Sequence, residues 1–368
     1  MNRHLSQKFR FYSFVCIALL LYVHGYNLQS TYLTPYSVVN ERLTFTTFIE
    51  YFLANGALRF RIPLLFLISG YIFSLQDRKP YTERIRKRLF TLIIPFLIWS
   101  AVGIAITYLW QQFPVTARAV LDAQVDQMGD NRPYNEIGWA GILYRWAVRP
   151  VSFQLWFIRS LFIYNVLYPV IKWAVIKYPV IWFAIIFAFW HTVYSFFFVE
   201  GLGLFFFSFG VWLNKHNYPL HKKPTWYSHY LSWLFFIGIS VIKTFMAFEL
   251  PDNTVSTSFI LYALHDLSVG AGILSIWFSG NGIVNWFMKK DWFMWATSFS
   301  FIVYALHVPL IHYTTRLAFI YWHNVPGYRL LTYMVVPVVV FLFCIATGAL
   351  FRRVWPKGYR FATGGRGF

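Results

Sequence analysis

His24, Arg59, Arg61 and Arg159 stand inside or beside long apolar runs, where an ionisable side chain is costly and is by default a functional-site hypothesis. His24 closes the run Leu20-Leu21-Tyr22-Val23-His24-Gly25. A neutral imidazole there can take a proton from a hydroxyl as a general base; a hydrogen bond to a neighbouring helix is the structural alternative. Arg59 and Arg61 lead into Ile62-Pro63-Leu64-Leu65-Phe66-Leu67-Ile68-Ser69-Gly70-Tyr71. A buried guanidinium requires an anionic or carbonyl partner, unless it snorkels to the interface. On a helix, residues two positions apart point to different sides, so only one of this pair is expected to face a given site. Arg159 lies in Gln154-Leu155-Trp156-Phe157-Ile158-Arg159-Ser160-Leu161, beside Trp156, whose plain role is that of an interfacial belt tryptophan. For Lys243, His191, His265 with Asp266, and His307, structural polar contacts are the expected role.

The elements that position these residues follow from composition. The chain has 368 residues, 58% hydrophobic and 12% charged, whereas soluble domains carry about a quarter charged residues. Lipid offers the backbone no hydrogen-bond partner, so each crossing must be a helix of roughly 20 apolar residues. Apolar runs predict helices near 9–27, 52–75, 89–110, 153–171, 179–198, 201–214, 229–248, 257–279, 292–314 and 327–350. The fold class is therefore all-α: a polytopic membrane protein of about ten transmembrane helices.

Charge sets the orientation. Lys and Arg collect in alternate loops (Arg3, Lys8 and Arg10; Arg78 to Arg88; Lys172 and Lys177; Lys215, Lys222 and Lys223; Lys289 and Lys290) and in the tail from Arg352 to Arg366. Glu41, Glu50, Asp122, Asp126, Asp130, Glu136, Glu200, Glu249 and Asp252 collect in the others. By the positive-inside rule both termini are cytoplasmic. The net charge of +19 thus reads as topology, with no nucleic acid as partner. One membrane domain, 1–355, and a short flexible cytoplasmic tail, 356–368, account for the chain. The polar stretch 111–152 is expected outside, and at that length a loop is functional or disordered. Cys16 and Cys344 lie in apolar runs without metal spacing, so neither a disulfide framework nor a metal site is expected. No Gly-rich nucleotide loop, HExxH, GxSxG or CxxC is present, which leaves hydrolase, metalloprotease and ATPase readings without their usual residues.

The segment Tyr81-Thr82-Glu83-Arg84-Ile85-Arg86-Lys87-Arg88 precedes an apolar run with Pro95. Topology alone explains such a basic loop; its density also suits a polyphosphate. Together with His24, the Arg59–Tyr71 stretch, the Leu155-Trp156-Phe157 opening of the fourth helix and Ile302-Val303-Tyr304-Ala305-Leu306-His307-Val308-Pro309, it makes the chain resemble the acyltransferase-3 family of integral membrane proteins over nearly its whole length. That family includes O-antigen acetyltransferases and the periplasmic-glucan succinyltransferase. Members commonly carry Arg or Lys eleven positions before the first-helix histidine. Here that position is Ser13, with Arg10 about one turn earlier.

The resemblance implies a membrane-bound O-acyltransferase that takes an acyl group from cytoplasmic acyl-CoA, usually acetyl-CoA, to a hydroxyl of a glycan or lipid-linked sugar at the outer side of a bacterial inner membrane. His24 would act as general base or as acyl acceptor. Arg59, Arg61 or Arg159 would stabilise the oxyanion, and Trp156 would form a sugar-stacking wall. Arg84, Arg86, Lys87 and Arg88 would hold the donor's phosphates, and His307 falls among the substrate-binding residues. The reading from another class is a secondary transporter or exporter of an anionic or sugar-linked solute. Its paired halves with matching broken helices are not visible as an internal repeat.

Overall fold

The computed structural model describes residues 3–28, 34, 36–125, 132–191, 196, 198–251 and 255–367, and no strand forms among them. Asp126, Asp130 and Asp252, counted above toward orientation, lie outside the described residues. The helices are α1 (Arg3–His24), α2 (Phe45–Tyr51), α3 (Arg61–Ser74), α4 (Tyr81–Arg88), α5 (Ile94–Trp110), α6 (Pro114–Ala123), α7 (Gly138–Ala147), α8 (Trp156–Val166), α9 (Tyr168–Lys177) and α10 (Pro179–His191). They continue with α11 (Gly201–Lys215), α12 (His229–Glu249), α13 (Val255–Ser279), α14 (Asn281–Phe287), α15 (Asp291–Thr297), α16 (Ser300–Trp322), α17 (Tyr328–Val354) and α18 (Pro356–Ala362).

Each of the ten apolar runs carries helix. Among the described residues, five stretches are long and apolar enough to cross a membrane: Phe45–Ser74, Tyr81–Trp110, α12, α13 and α17. The bent pair of α15 and α16, at 60°, makes a sixth if it is counted as one span. The chain is thus an all-helical, multi-pass membrane protein. α1, α8 with α9, α10 and α11 occupy the remaining apolar runs.

Three departures from the expected layout bear on the site. Phe45–Ser74 is not one regular helix: a π-helical turn, Phe52–Ala57, joins α2 to the turn before α3. The stretch 111–152 carries α6 and α7, and α6 packs on α16. The segment after Pro356, expected to be a flexible end, forms α18 and folds back. Trp99 Nε1 donates to Ala362 O at 2.9 Å and Arg366 donates to Thr91 O at 2.7 Å.

α16 breaks at Val308-Pro309, because proline has no N–H to continue the ladder. In a membrane the carbonyls so released require other donors. Ser152 Oγ donates to Val308 O at 3.0 Å, and Gln154 Nε2 lies 3.0 Å from Ala305 O and 3.3 Å from Val308 O. Tyr304 returns a bond to Gln154 O at 2.6 Å. The break thereby fixes the start of α8 against α16.

At the other end, Asp77 accepts from Arg84 at 2.8 Å, Lys172 at 2.8 Å, Lys215 and Tyr168, joining α4, α9 and α11. Burial alone would raise this carboxyl, but the bonds from Lys172, Lys215 and Tyr168 hold it well below the usual carboxylate range.

α3 and α11 approach closely through Gly70 and Gly210, where an added Cβ would run into the backbone carbonyls of Phe207 and Leu67. Small residues permit such approach where no hydrophobic effect drives helices together. Gly210→Val is expected to destabilise the protein by at least the ~1–3 kcal/mol of an overpacked core. Its melting temperature in detergent should fall clearly; an unchanged value would remove this contact from the account.

Candidate active site

The end of α1, the turn before α3, the start of α8 and the segment before α11 surround a cavity of about 590 Å³. His24, Arg59, Arg61, Trp156 and Arg159 all line it. The expectation that only one arginine of the 59/61 pair would reach a given site is corrected. Leu58 to Phe60 form a turn, so the helical 100° step between positions does not apply, and both guanidiniums reach the cavity.

Each cation is held differently. Arg59 donates to Asn55 Oδ1 in the π-helical turn. Arg61, 2% exposed, donates through Nε to Leu58 O, while one terminal nitrogen has no partner among the described residues. The Arg159 guanidinium sits 3.6 Å over the Phe198 ring and donates to Val148 O, leaving its Nε without a partner among the described residues.

His24 lies 5.0 Å from the Phe153 ring and 5.4 Å from that of His307. His307 Nδ1 meets Val303 O at 2.9 Å, which fixes the tautomer and leaves Nε2 as a buried acceptor without a partner among the described residues. Expected among the substrate-binding residues, His307 stands behind His24 rather than on the cavity wall, fully buried and with its ring turned back along α16 to Val303 O.

Arg84, Arg86, Lys87 and Arg88 lie away from this cavity. Arg84 is buried against Asp77, with its guanidinium 4.1 Å over Phe73, whereas Arg86 and Lys87 are exposed. A second cavity, of about 610 Å³, lies near the start of α1 and is lined by Arg10, Trp295, Thr297, Ser298, Arg352 and Gly367. Arg10 bonds Thr297 Oγ1 at 2.8 Å and Met294 O at 2.9 Å. Along α1 the two sites are about 21 Å apart, fourteen residues at ~1.5 Å each.

Lys243 and His265 make polar contacts of the kind expected of them. Lys243 donates to Asn55 O at 2.6 Å and lies 3.3 Å from His265 Nδ1, which braces the turn that holds Arg59.

Sequence reasoning gave no place in the site to Glu200, Arg149, Tyr304 or His312. The first three line the cavity, and His312 is 6.2 Å from His24. In the sequence Glu200 counts only toward topology, and Arg149 falls in a stretch expected to be a loop. Burial lifts the Glu200 carboxyl to about 7, with the charge of Arg159 acting in the other direction.

An imidazole held between rings, several guanidiniums and aromatic walls meet around one cavity, an arrangement chemically able to serve group transfer at a carbonyl. The family model described as acyltransferase domain matches residues 14–351, and the chain belongs to this acyltransferase-3 family. It is an acyltransferase. The succinoglycan biosynthesis protein ExoH of Rhizobium meliloti (strain 1021) is 23% identical over 373 residues, covering 100% of this chain and 94% of that protein. No solved structure matches significantly.

Proposed function

We propose that the protein is a membrane O-acyltransferase with ten spans and both termini in the cytoplasm, resident in a bacterial inner membrane. It moves an acyl group, acetyl in the simplest case, from cytoplasmic acyl-CoA to a hydroxyl of an envelope or exported glycan. The carrying observation is the convergence of His24, Arg59, Arg61, Trp156 and Arg159, from three separate parts of the chain, on one cavity. The family supports the reaction class. The relative's name connects that protein to succinoglycan, which supports a glycan as acceptor.

In the general-base form of the reaction, His24 takes the proton of the acceptor hydroxyl as its oxygen attacks the thioester carbonyl. The C–O bond forms, the C–S bond breaks, and the imidazolium returns the proton to the departing thiolate. Arg61 and Arg59 face the negative charge that develops on the carbonyl oxygen. His307, with Nδ1 committed to Val303, keeps its ring packed behind His24. The donor enters from the end of α1 opposite His24. Its phosphates meet Arg86, Lys87 and Arg88, while Arg84, held by Asp77, anchors α4.

Purified protein in liposomes with labelled acetyl-CoA and crude envelope glycan tests the reaction. Label in the glycan is the expected result. Solute flux that proceeds without acyl-CoA, with no label transferred, would favour a transporter instead. Replacing Arg86 and Lys87 by Gln should raise the donor KM roughly tenfold, the scale of one lost charged hydrogen bond, while kcat is kept. Accessibility tags on both termini would verify that orientation is unaltered. An unchanged donor KM would leave that basic segment to topology alone.

A further inference from the structure

Glu200 is the one acid among the described residues that line the cavity, whose other charged groups are Arg59, Arg61, Arg149 and Arg159. Its backbone is fixed from both sides. Tyr164 Oη donates to Glu200 O at 2.9 Å, and Glu200 N–H donates back to the same tyrosine oxygen at 3.1 Å. Tyr164 is fully buried, with its ring 5.4 Å from Phe66 and 5.7 Å from Phe207. The Glu200 side chain does not cap α11, although the residue stands at the N-cap position. Its carboxylate makes no hydrogen bond and no ion pair within 4.0 Å among the described residues. A carboxylate on a rigid backbone, turned to no protein donor and placed in a cavity wall, is arranged to receive donors from a ligand.

The surroundings say which donors. Beside it stands Arg159, whose buried Nε has no partner among the described residues, and the wall continues through Trp156 and Phe153. Carboxylate, guanidinium and aromatic faces together match a polyhydroxylated ring. Adjacent hydroxyls donate to the two carboxylate oxygens, the guanidinium donates to hydroxyl or ring oxygens, and the C–H face of the ring lies on the aromatics. A phosphate or carboxylate has no donor to offer Glu200, and a simple alcohol has only one, which leaves the second carboxylate oxygen unfilled.

We propose that Glu200, with Arg159, forms the acceptor subsite of this cavity, and that its carboxylate selects a saccharide by accepting hydrogen bonds from two neighbouring hydroxyls. This rests on the acyltransferase reading above and adds the group that recognises the acceptor.

The test uses the full-length protein in liposomes, wild type against Glu200→Gln and Glu200→Ala. Three quantities are measured: the crude envelope glycan concentration that gives half-maximal label transfer, the slow hydrolysis of labelled acetyl-CoA without glycan, and glycan binding by quenching of tryptophan fluorescence. Both variants should require about tenfold more glycan in transfer and in binding, the scale set by lost bonds to a charged acceptor, with donor hydrolysis at the wild-type rate. Equal glycan requirements in all three proteins would overturn the subsite, as would hydrolysis that falls in step with transfer. A wild type that binds glycan in a Glu200-dependent way but transfers nothing would retain the subsite and remove the acyltransfer reading. A wild type that neither binds nor transfers would remove both.

Discussion

His24→Ala is expected to reduce acyl transfer by about 10²- to 10⁴-fold, the range a positioned general base contributes. The loss should be confined to chemistry. His24 is the last residue of α1, and its ring rests against Phe153 rather than supporting a helix–helix bond. Removing it empties space at the edge of an existing cavity, so melting temperature and expression should stay near wild type. Rapid-quench measurement with labelled acyl-CoA and no glycan then separates the two chemical roles. Label that stays on wild-type protein and is absent from the variant assigns His24 as the acyl acceptor. No protein-bound label, with transfer still dependent on His24, assigns it as general base. Transfer by His24→Ala at the wild-type rate would dismiss imidazole catalysis altogether.

Arg61→Met should reduce kcat by about 10²- to 10³-fold, the effect of removing one preorganised oxyanion donor. The donor KM should change little, since the charge it meets develops only in the transition state. Stability should move in the opposite direction. Arg61 is buried without a carboxylate partner among the described residues, and one of its terminal nitrogens is unpaired among them. Replacing an uncompensated buried charge by an apolar side chain of similar length is neutral or stabilising. A variant that melts at or above the wild-type temperature and barely turns over would show that Arg61 is retained for chemistry. Arg61→Lys keeps the charge but loses the planar fork, and should recover only part of the rate. Full activity in Arg61→Met, or unfolding without it, would give Arg61 a structural role.

Both expectations concern residues that the order of amino acids alone singles out, and the reason is solvation. An ionisable group in an apolar run costs enough that its presence there marks it. His24, Arg59, Arg61 and Arg159 stand out on that ground, and all four line the cavity. Glu200 cannot stand out in this way. It falls between two apolar runs, where a carboxylate reads as an ordinary loop residue, and only the fold of α11 against α8 makes that position a cavity wall. His312 shares the helix of His307, but its closeness to His24 follows from the break at Pro309, which no periodicity in the sequence describes.

Desolvation of backbone and charge in lipid acts on each segment separately, so a helical protein that lies in a membrane, with a few costly side chains as its candidate site, is already written in the chain. Which of those side chains meet is a property of the packed molecule. The turn at Leu58–Phe60 brings Arg59 and Arg61 to one cavity. Asp77 binds Arg84, which separates it from its exposed neighbours Arg86 and Lys87. The stretch 111–152 folds into α6 and α7 and, from Val148 to Val151, supplies part of the cavity wall. Each of these outcomes is set by pairings between residues distant in sequence, and such pairings depend on packing and on which buried donors and acceptors find one another.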